Sequence, residues 1–310
     1  MLGIDVGATA IKLAIMRRQR RRWHLQACVV QPLPEHTGGY CDANSTVVLD
    51  TLKMALASLS VKAREAAVAV ASADAIIRTI ELDGGLSEQE IENRLAIEAG
   101  QHLPFPVSDA SMDFCRLPGG NNTRASRLDV LLVACRREEV ERRVALLRSC
   151  DIRTAVVDLD ALAFYRLIGD EGPDVTEVIL DLGAGGFRLH AFAQGRLLYS
   201  RSHQAGIRAG APSSQIAEPE SEPRLVQEIR RAIQLFLIST ACEHEITIKL
   251  AGGAAANPGL AAGISAACGR PVSAVQTLPG NSSHARVAPG RRHTSLPQLA
   301  LACGLAMAVG

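Results

Sequence analysis

The sequence predicts an α/β protein of two pseudo-symmetric lobes, on three observations: strands follow one another before the first helix, an Asp-Gly hairpin occurs twice, and a strand-rich segment interrupts the first half. A chain of 310 residues is long enough for each lobe to bury a core of its own. The 47% hydrophobic content and formal net charge of +1 fit a folded protein without a nucleic-acid-sized basic field, so no nucleic-acid partner is expected.

Residues 3–6, 10–16 and 23–30 read as successive strands, short aliphatic runs broken by Gly7 and by arginines. The run Arg17-Arg18-Gln19-Arg20-Arg21-Arg22 falls where a hairpin needs its turn. A solvated turn is its first reading, and contact with the inner face of a membrane, through anionic lipid, is the alternative. Asn44 or Ser45 then caps a helix whose apolar face carries Val48, Leu52, Ala55, Leu56 and Leu59, followed by a buried strand at 66–71. Antiparallel strands, a helix and a further strand differ from the strict alternation of a doubly wound dinucleotide fold.

The segment at about 72–150 looks inserted. It reads as a strand at 76–82, a helix opened by the capping box Ser87-x-x-Glu90, the breaker Leu103-Pro104-Phe105-Pro106, and strands at 111–117 and 128–135. Pro118-Gly119-Gly120-Asn121-Asn122 is a turn by composition. A charged helix at 137–148 follows, with Val140, Val144 and Leu147 on one face.

The first lobe is expected over 1–170 and the second over 171–310, with strands at 178–181, 186–193 and 196–200 and a helix at 224–240. Between them, residues 205–223 are rich in Gly, Ser, Pro and Glu, too polar to bury much surface. The apolar stretch at 299–308 is shorter than the roughly 18 residues a membrane span needs and reads as a buried helix. No transmembrane segment and no signal peptide is expected, and eight cysteines without a CxxC pair fit a reducing cytoplasm.

The duplicated hairpin carries the chemistry. Ile4-Asp5-Val6-Gly7-Ala8-Thr9-Ala10-Ile11-Lys12-Leu13 aligns without gaps on Leu180-Asp181-Leu182-Gly183-Ala184-Gly185-Gly186-Phe187-Arg188-Leu189. In each copy a strand ends in Asp, turns on glycine and re-enters a strand, presenting a carboxylate and bare backbone N–H groups. Glycine lets the chain approach phosphate oxygens, Asp holds magnesium through water, and Lys12 or Arg188 adds positive charge. Two such tips facing across a cleft would grip a nucleotide from both sides. A third element, the strand at 246–251 breaking on Gly252 and Gly253 before a helix at Pro258, suits a nucleoside or is a plain strand-to-helix turn. Asp158 reads first as a helix cap, and otherwise as a carboxylate facing the cleft to orient water or hydrated magnesium.

The Asp5 hairpin resembles the first phosphate motif of the actin and sugar kinase ATPases, Asp181 the second, Asp158 the connecting helix, and Gly252-Gly253 the adenosine motif. Within that superfamily the chain looks like the PilM family of type IV pilus assembly proteins. The likeness rests on Leu2-Gly3-Ile4-Asp5-Val6-Gly7-Ala8-Thr9-Ala10-Ile11-Lys12, Glu98-Ala99-Gly100-Gln101-His102-Leu103-Pro104-Phe105-Pro106, Val130-Leu131-Leu132-Val133-Ala134-Cys135-Arg136 and Ala302-Cys303-Gly304-Leu305-Ala306. It implies an actin-like (ribonuclease H-like) two-lobed fold with an FtsA-type extra subdomain on the first lobe and an upper subdomain on the second that is here reduced to about 205–223.

The same resemblance implies ATP and Mg held by Asp5, Gly7, Ala8, Thr9, Lys12, Asp181, Gly183, Ala184, Gly185, Gly252 and Gly253, with Asp5 and Asp181 on the metal. It implies a cytoplasmic scaffold, peripheral to the inner membrane, that captures the N-terminal tail of a PilN-like protein beside the extra subdomain. PilO- and PilP-like proteins and motor ATPases complete the expected assembly. Gly185-Gly186-Phe187-Arg188 lacks the hydroxyl residues usual in the second phosphate motif, which leaves weak ATPase activity at most. The alternatives are a small-molecule, sugar-type kinase, a filament-forming FtsA relative, and a secretion or competence homologue with a degenerate site.

Overall fold

Leu2–Val6 (β1), Ala10–Gln19 (β2) and Arg22–Pro32 (β3) pair as an antiparallel meander, and the helix Ser45–Ala57 (α1) returns the chain to Glu65–Val70 (β4), parallel to β1. This computed structural model describes residues 1–20, 22–34, 45–117, 127–169, 172, 174–204, 224–242, 244–276 and 295–308. The expected Asn44 cap, the turn at 118–122 and the stretch at 205–223 lie outside the described residues.

After β4 the chain builds a separate three-stranded sheet from Ala75–Asp83 (β5), Ala110–Arg116 (β6) and Arg127–Arg136 (β7), in the order β5-β7-β6. Glu88–His102 (α2) covers one face, and its capping box is formed: the Ser87 side chain accepts from the Glu90 N–H while the Ser87 N–H donates to the Glu90 carboxylate. Ile91, Leu95 and Ala99 of α2 pack on Ile80, Val130 and Leu132, a small core of the inserted unit's own. Arg137–Arg148 (α3) carries the chain back to Arg153–Leu159 (β8), which pairs parallel with β4, and Asp160–Ile168 (α4) follows.

The second sheet repeats the first. Val175–Gly183 (β9), Gly186–Ala193 (β10) and Arg196–His203 (β11) form the meander, Arg224–Thr240 (α5) crosses, and Glu245–Ala251 (β12), Pro258–Cys268 (α6) and Val272–Ala274 (β13) complete it. Strand orders β3-β2-β1-β4-β8 and β11-β10-β9-β12-β13 are the same topology, which is what a doubled chain requires.

Leu296–Ala306 (α7) is buried on all sides, as a helix without a polar face must be, and packs against α4 and β1. Small residues let the backbones close: a Cβ on Gly3 would stand 1.9 Å from the Ala302 carbonyl oxygen, and one on Gly304 would stand 2.0 Å from that of Ala163. Around this seam Phe164, Leu167, Phe192, Cys303 and Leu305 form a core shared by both sheets.

One local expectation is corrected. Asp158 does not cap α4: the N-cap is Leu159, without a side-chain cap, and the helix starts at Asp160. The Asp158 carboxylate is instead satisfied by the Leu159 N–H at 2.8 Å and by Arg166 Nη2 at 2.9 Å.

Candidate functional site

Strand register places the two repeat carboxylates identically. Asp5 lies opposite Lys12 on the β1–β2 hairpin, with Nζ 2.7 Å from Oδ2, and Asp181 lies opposite Arg188 on the β9–β10 hairpin, with Nη2 2.8 Å from Oδ2. The duplication therefore extends from sequence to ion pair. Ala8, Thr9 and Gly185 are exposed at the tips, and the first turn is closed by the Gly7 N–H donating to the Ala10 carbonyl at 3.0 Å.

The charges of the two hairpins reach each other. Burial would lower the Lys12 ammonium's pKa, yet Asp5, through charge and hydrogen bond, and the more distant Asp181 hold it above the ordinary lysine value. Arg188 is likewise opposed by burial and supported by Asp181, Asp160 and Asp5 together, which keeps it charged.

Asp160, which sequence reasoning passed over, is the centre of this network. It is fully buried at the first turn of α4, where Oδ1 accepts from the Ser72 N–H at 2.8 Å, the Ala161 N–H at 2.7 Å and the Ser72 hydroxyl, and Oδ2 accepts from Arg188 Nη1 at 2.7 Å. Burial opposes its ionisation, but the positive field of a protonated His190 and of Arg188, with the Ser72 donors, holds the carboxyl below its usual range. His190 itself is pushed down by burial, with Nδ1 2.9 Å from the Ser200 hydroxyl, so Arg188 and Ser72 are the partners that keep Asp160 ionised at neutral pH.

These groups open on a cleft of about 460 Å³ lined by Asp5, Gly7, Ala8, Asp160 and Arg188, and on its other wall by Asp74, Glu139, Arg142 and Arg143. Burial and the neighbouring Glu139 raise the pKa of Asp74, against the pull of Arg143. The Arg143 guanidinium is fixed by the Ala69 carbonyl at 2.7 Å and the Glu139 carboxylate at 2.7 Å. Among the predicted residues, Asp5, Gly7 and Ala8 line this space, Lys12 backs it through Asp5, and Asp181 backs Arg188. Gly183, Ala184 and Gly185 form the second tip.

Gly252 and Gly253 separate into different roles. Gly252, at φ +89°, is pressed on the second hairpin, where a Cβ would stand 2.4 Å from the Leu182 carbonyl oxygen and 2.7 Å from Asp181 Oδ1. Among the described residues beyond its chain neighbours, Gly253 has no atom within 4 Å of its Cβ position.

The expectation that Asp158 faces the cleft is corrected as well. It lines a second cavity of about 280 Å³, between the inserted sheet and the first lobe, with Val70, Leu162, Val140, Leu131 and Val133. Ser111, Met112, Asp113, Phe114 and Cys115 of β6 all line it. Consecutive strand residues point to opposite faces, so a groove touching five in a row runs along the strand's edge. Among the described residues β6 is an edge strand, paired with β7, and the Phe114 N–H donates to the Asp113 carboxylate at 2.8 Å.

A family model described as type IV pilus assembly protein PilM matches residues 3–217 and 213–309. The chain is similar to a solved structure titled PilM-PilN type IV pilus biogenesis complex, at 22% identity and TM-score 0.77, covering 99% of this chain and 97% of that one. Ethanolamine utilization protein EutJ from Carboxydothermus hydrogenoformans aligns at 12% identity and TM-score 0.54, over 99% and 88% of the two chains. The cytoplasmic domain of EpsL, an inner membrane component of the type II secretion system of Vibrio cholerae, aligns at 13% identity and TM-score 0.51, over 98% and 92%. At these identities the likenesses establish the fold alone, which is actin-like.

Proposed function

The chain belongs to the PilM family of type IV pilus assembly proteins, and from this we infer that it is a scaffold that docks the N-terminal tail of an inner-membrane PilN-like protein. The observation that carries the reading is the groove along β6, apolar on Val70, Leu131, Val133 and Leu162 and bordered by a strand edge. An extended tail fits such a place by adding a strand, its main chain meeting the free edge and alternate side chains entering the apolar floor. Through that partner the chain would sit at the inner membrane and join PilO- and PilP-like proteins and the motor ATPases. Among the described residues no helix is long and apolar enough to cross a membrane by itself.

ATP with magnesium is the ligand proposed for the cleft, and the residues fit it unevenly. Ala8 and Thr9, exposed at the first tip, Lys12 behind them and the second oxygen of Asp5 suit a phosphate and a hydrated cation. Asp181 fits a metal poorly, since one oxygen is taken by Arg188 and the other is packed against Gly252. Bound there, the nucleotide would supply phosphate charge at a cleft that Arg188 lines, and the second hairpin presents no hydroxyl between 185 and 188 to assist hydrolysis. This supports a binding rather than a turnover role.

The test is calorimetric titration of the full chain with a synthetic peptide of the N-terminal tail of its own organism's PilN-like protein. Saturable one-to-one binding, abolished by Leu162→Glu with the fold intact, is expected. A folded protein that ignores the peptide overturns the reading.

A further inference from the structure

The end of the first sheet remote from the cleft gathers positive charge. β1 pairs with β2 from Val6↔Ile11 to Leu2↔Ile15, and Met1 bonds Met16 through both backbone groups, so from Arg17↔His24 to Gln19↔Arg22 the β2–β3 hairpin continues as a two-stranded arm past a register shift at Ile15/Met16. On that arm Arg17, Arg18, Arg20 and Arg22 are exposed, and none makes an ion pair among the described residues. Arg18 lies over the half-buried Trp23 ring, 5.9 Å from its centroid.

Topology brings more cations to the same end. β4 and β8 run parallel to β1, so their starts lie beside the base of the arm, and the Arg153 N–H donates to the Arg64 carbonyl at 2.9 Å. Arg64 and Lys62 precede β4, exposed, and Arg148 ends α3 just before β8. The acidic groups at these strand starts are Glu65, already paired with Arg153, and the exposed Asp151. In a chain whose net charge is only +1, this end is a concentrated excess, with Val61 left 39% exposed beside Lys62.

We propose that this end of the first lobe is a docking surface for an anionic phospholipid bilayer, the arginine arm lying in the headgroup layer with Trp23 beneath Arg18. Clustered arginines bind a negatively charged leaflet because the attraction acts within one Debye length, about 8 Å at physiological ionic strength, and an arm that projects from the body brings its charges inside that range. A tryptophan stacked under an arginine suits the same boundary, one side apolar and the other wet. The surface lies opposite the Asp5 tip, so membrane contact leaves the cleft open to solution. This contact is independent of any partner tail.

The test is co-sedimentation of the full chain with vesicles of phosphatidylcholine containing about one-third phosphatidylglycerol, against vesicles of phosphatidylcholine alone. Binding to the anionic vesicles that weakens as salt rises, and that falls on the order of tenfold or more when Arg17, Arg20 and Arg22 are all changed to glutamine, is expected. These side chains are exposed, so an unchanged melting temperature confirms an intact fold in the variant. No binding to anionic vesicles, undiminished binding by the triple variant, or capture by duplex DNA in preference to lipid overturns the proposal.

Discussion

Arg188, on β10 of the second sheet, sets Nη1 2.7 Å from Oδ2 of Asp160 at the first turn of α4, and so fastens one repeat to the other across the cleft. Asp160 passes the connection on through Ser72, which stands between β4 and the inserted sheet. The cleft, the seam and the inserted unit thus share one buried carboxylate.

Removing one side of this pair should cost far more than a surface ion pair. Arg188→Met leaves Asp160 as an uncompensated buried charge, and a loss of about 3–5 kcal/mol is expected in urea unfolding. Asp160→Asn combined with Arg188→Met should recover part of it, because of the two carboxylates that Arg188 pairs only Asp181 then stays charged. A loss below about 1 kcal/mol in the single variant would show that Asp160 is not relying on Arg188.

The helix seam predicts intolerance of a single methyl group. Gly304→Ala drives a Cβ into the Ala163 carbonyl and Gly3→Ala drives one into that of Ala302. Each should destabilise the chain by about 1–3 kcal/mol or more, because backbone on both sides must move. Thermal unfolding of the two variants beside Gly253→Ala, where the Cβ position is open, checks this.

The pH dependence follows from Asp160. Its carboxyl is held below the ordinary value of 3.8, so the stabilisation it contributes is complete above that pH and is lost as the pH falls toward the folded-state value. Lys12 works at the other end: held above 10.5, it contributes stability that is full below that pH and lost as the pH rises through its folded-state value. Asp160→Asn should flatten the acid limb of a stability profile while leaving the alkaline limb, and Lys12→Met should do the reverse.

The edge of β6 predicts a gain. The Asp113 carboxylate covers the Phe114 N–H, as charged residues blunt an open strand edge. Asp113→Ala uncovers that donor, and the partner tail should bind roughly two- to tenfold more tightly if it adds as a strand. A tail that binds Asp113→Ala with unchanged affinity does not pair with this edge.

Much of this was legible in the chain because it is local or repeated. The capping box at Ser87 and Glu90, the helix at 137–148 and the aligned Asp5 and Asp181 hairpins depend on short spacings, and the observed elements match them. What escaped depends on apposition. Asp160 stands two residues beyond Asp158, and only the start of α4 decides which carboxylate turns inward. Asp74 and Glu139 meet at one end of the β5–β7 pair, where Ala75 lies opposite Cys135, and nothing in either neighbourhood announces the other. The groove needs the β6 edge to face α4, a relation that no periodicity encodes.

The docking claim is tested most directly at Cys115, an exposed free thiol within the groove. Its alkylation rate, followed by peptide mass spectrometry with and without a saturating partner tail, should fall several-fold when the tail is present, while the buried Cys28 and Cys303 stay unreactive in both conditions. A tail that binds and leaves the Cys115 rate unchanged would place the partner elsewhere on the molecule.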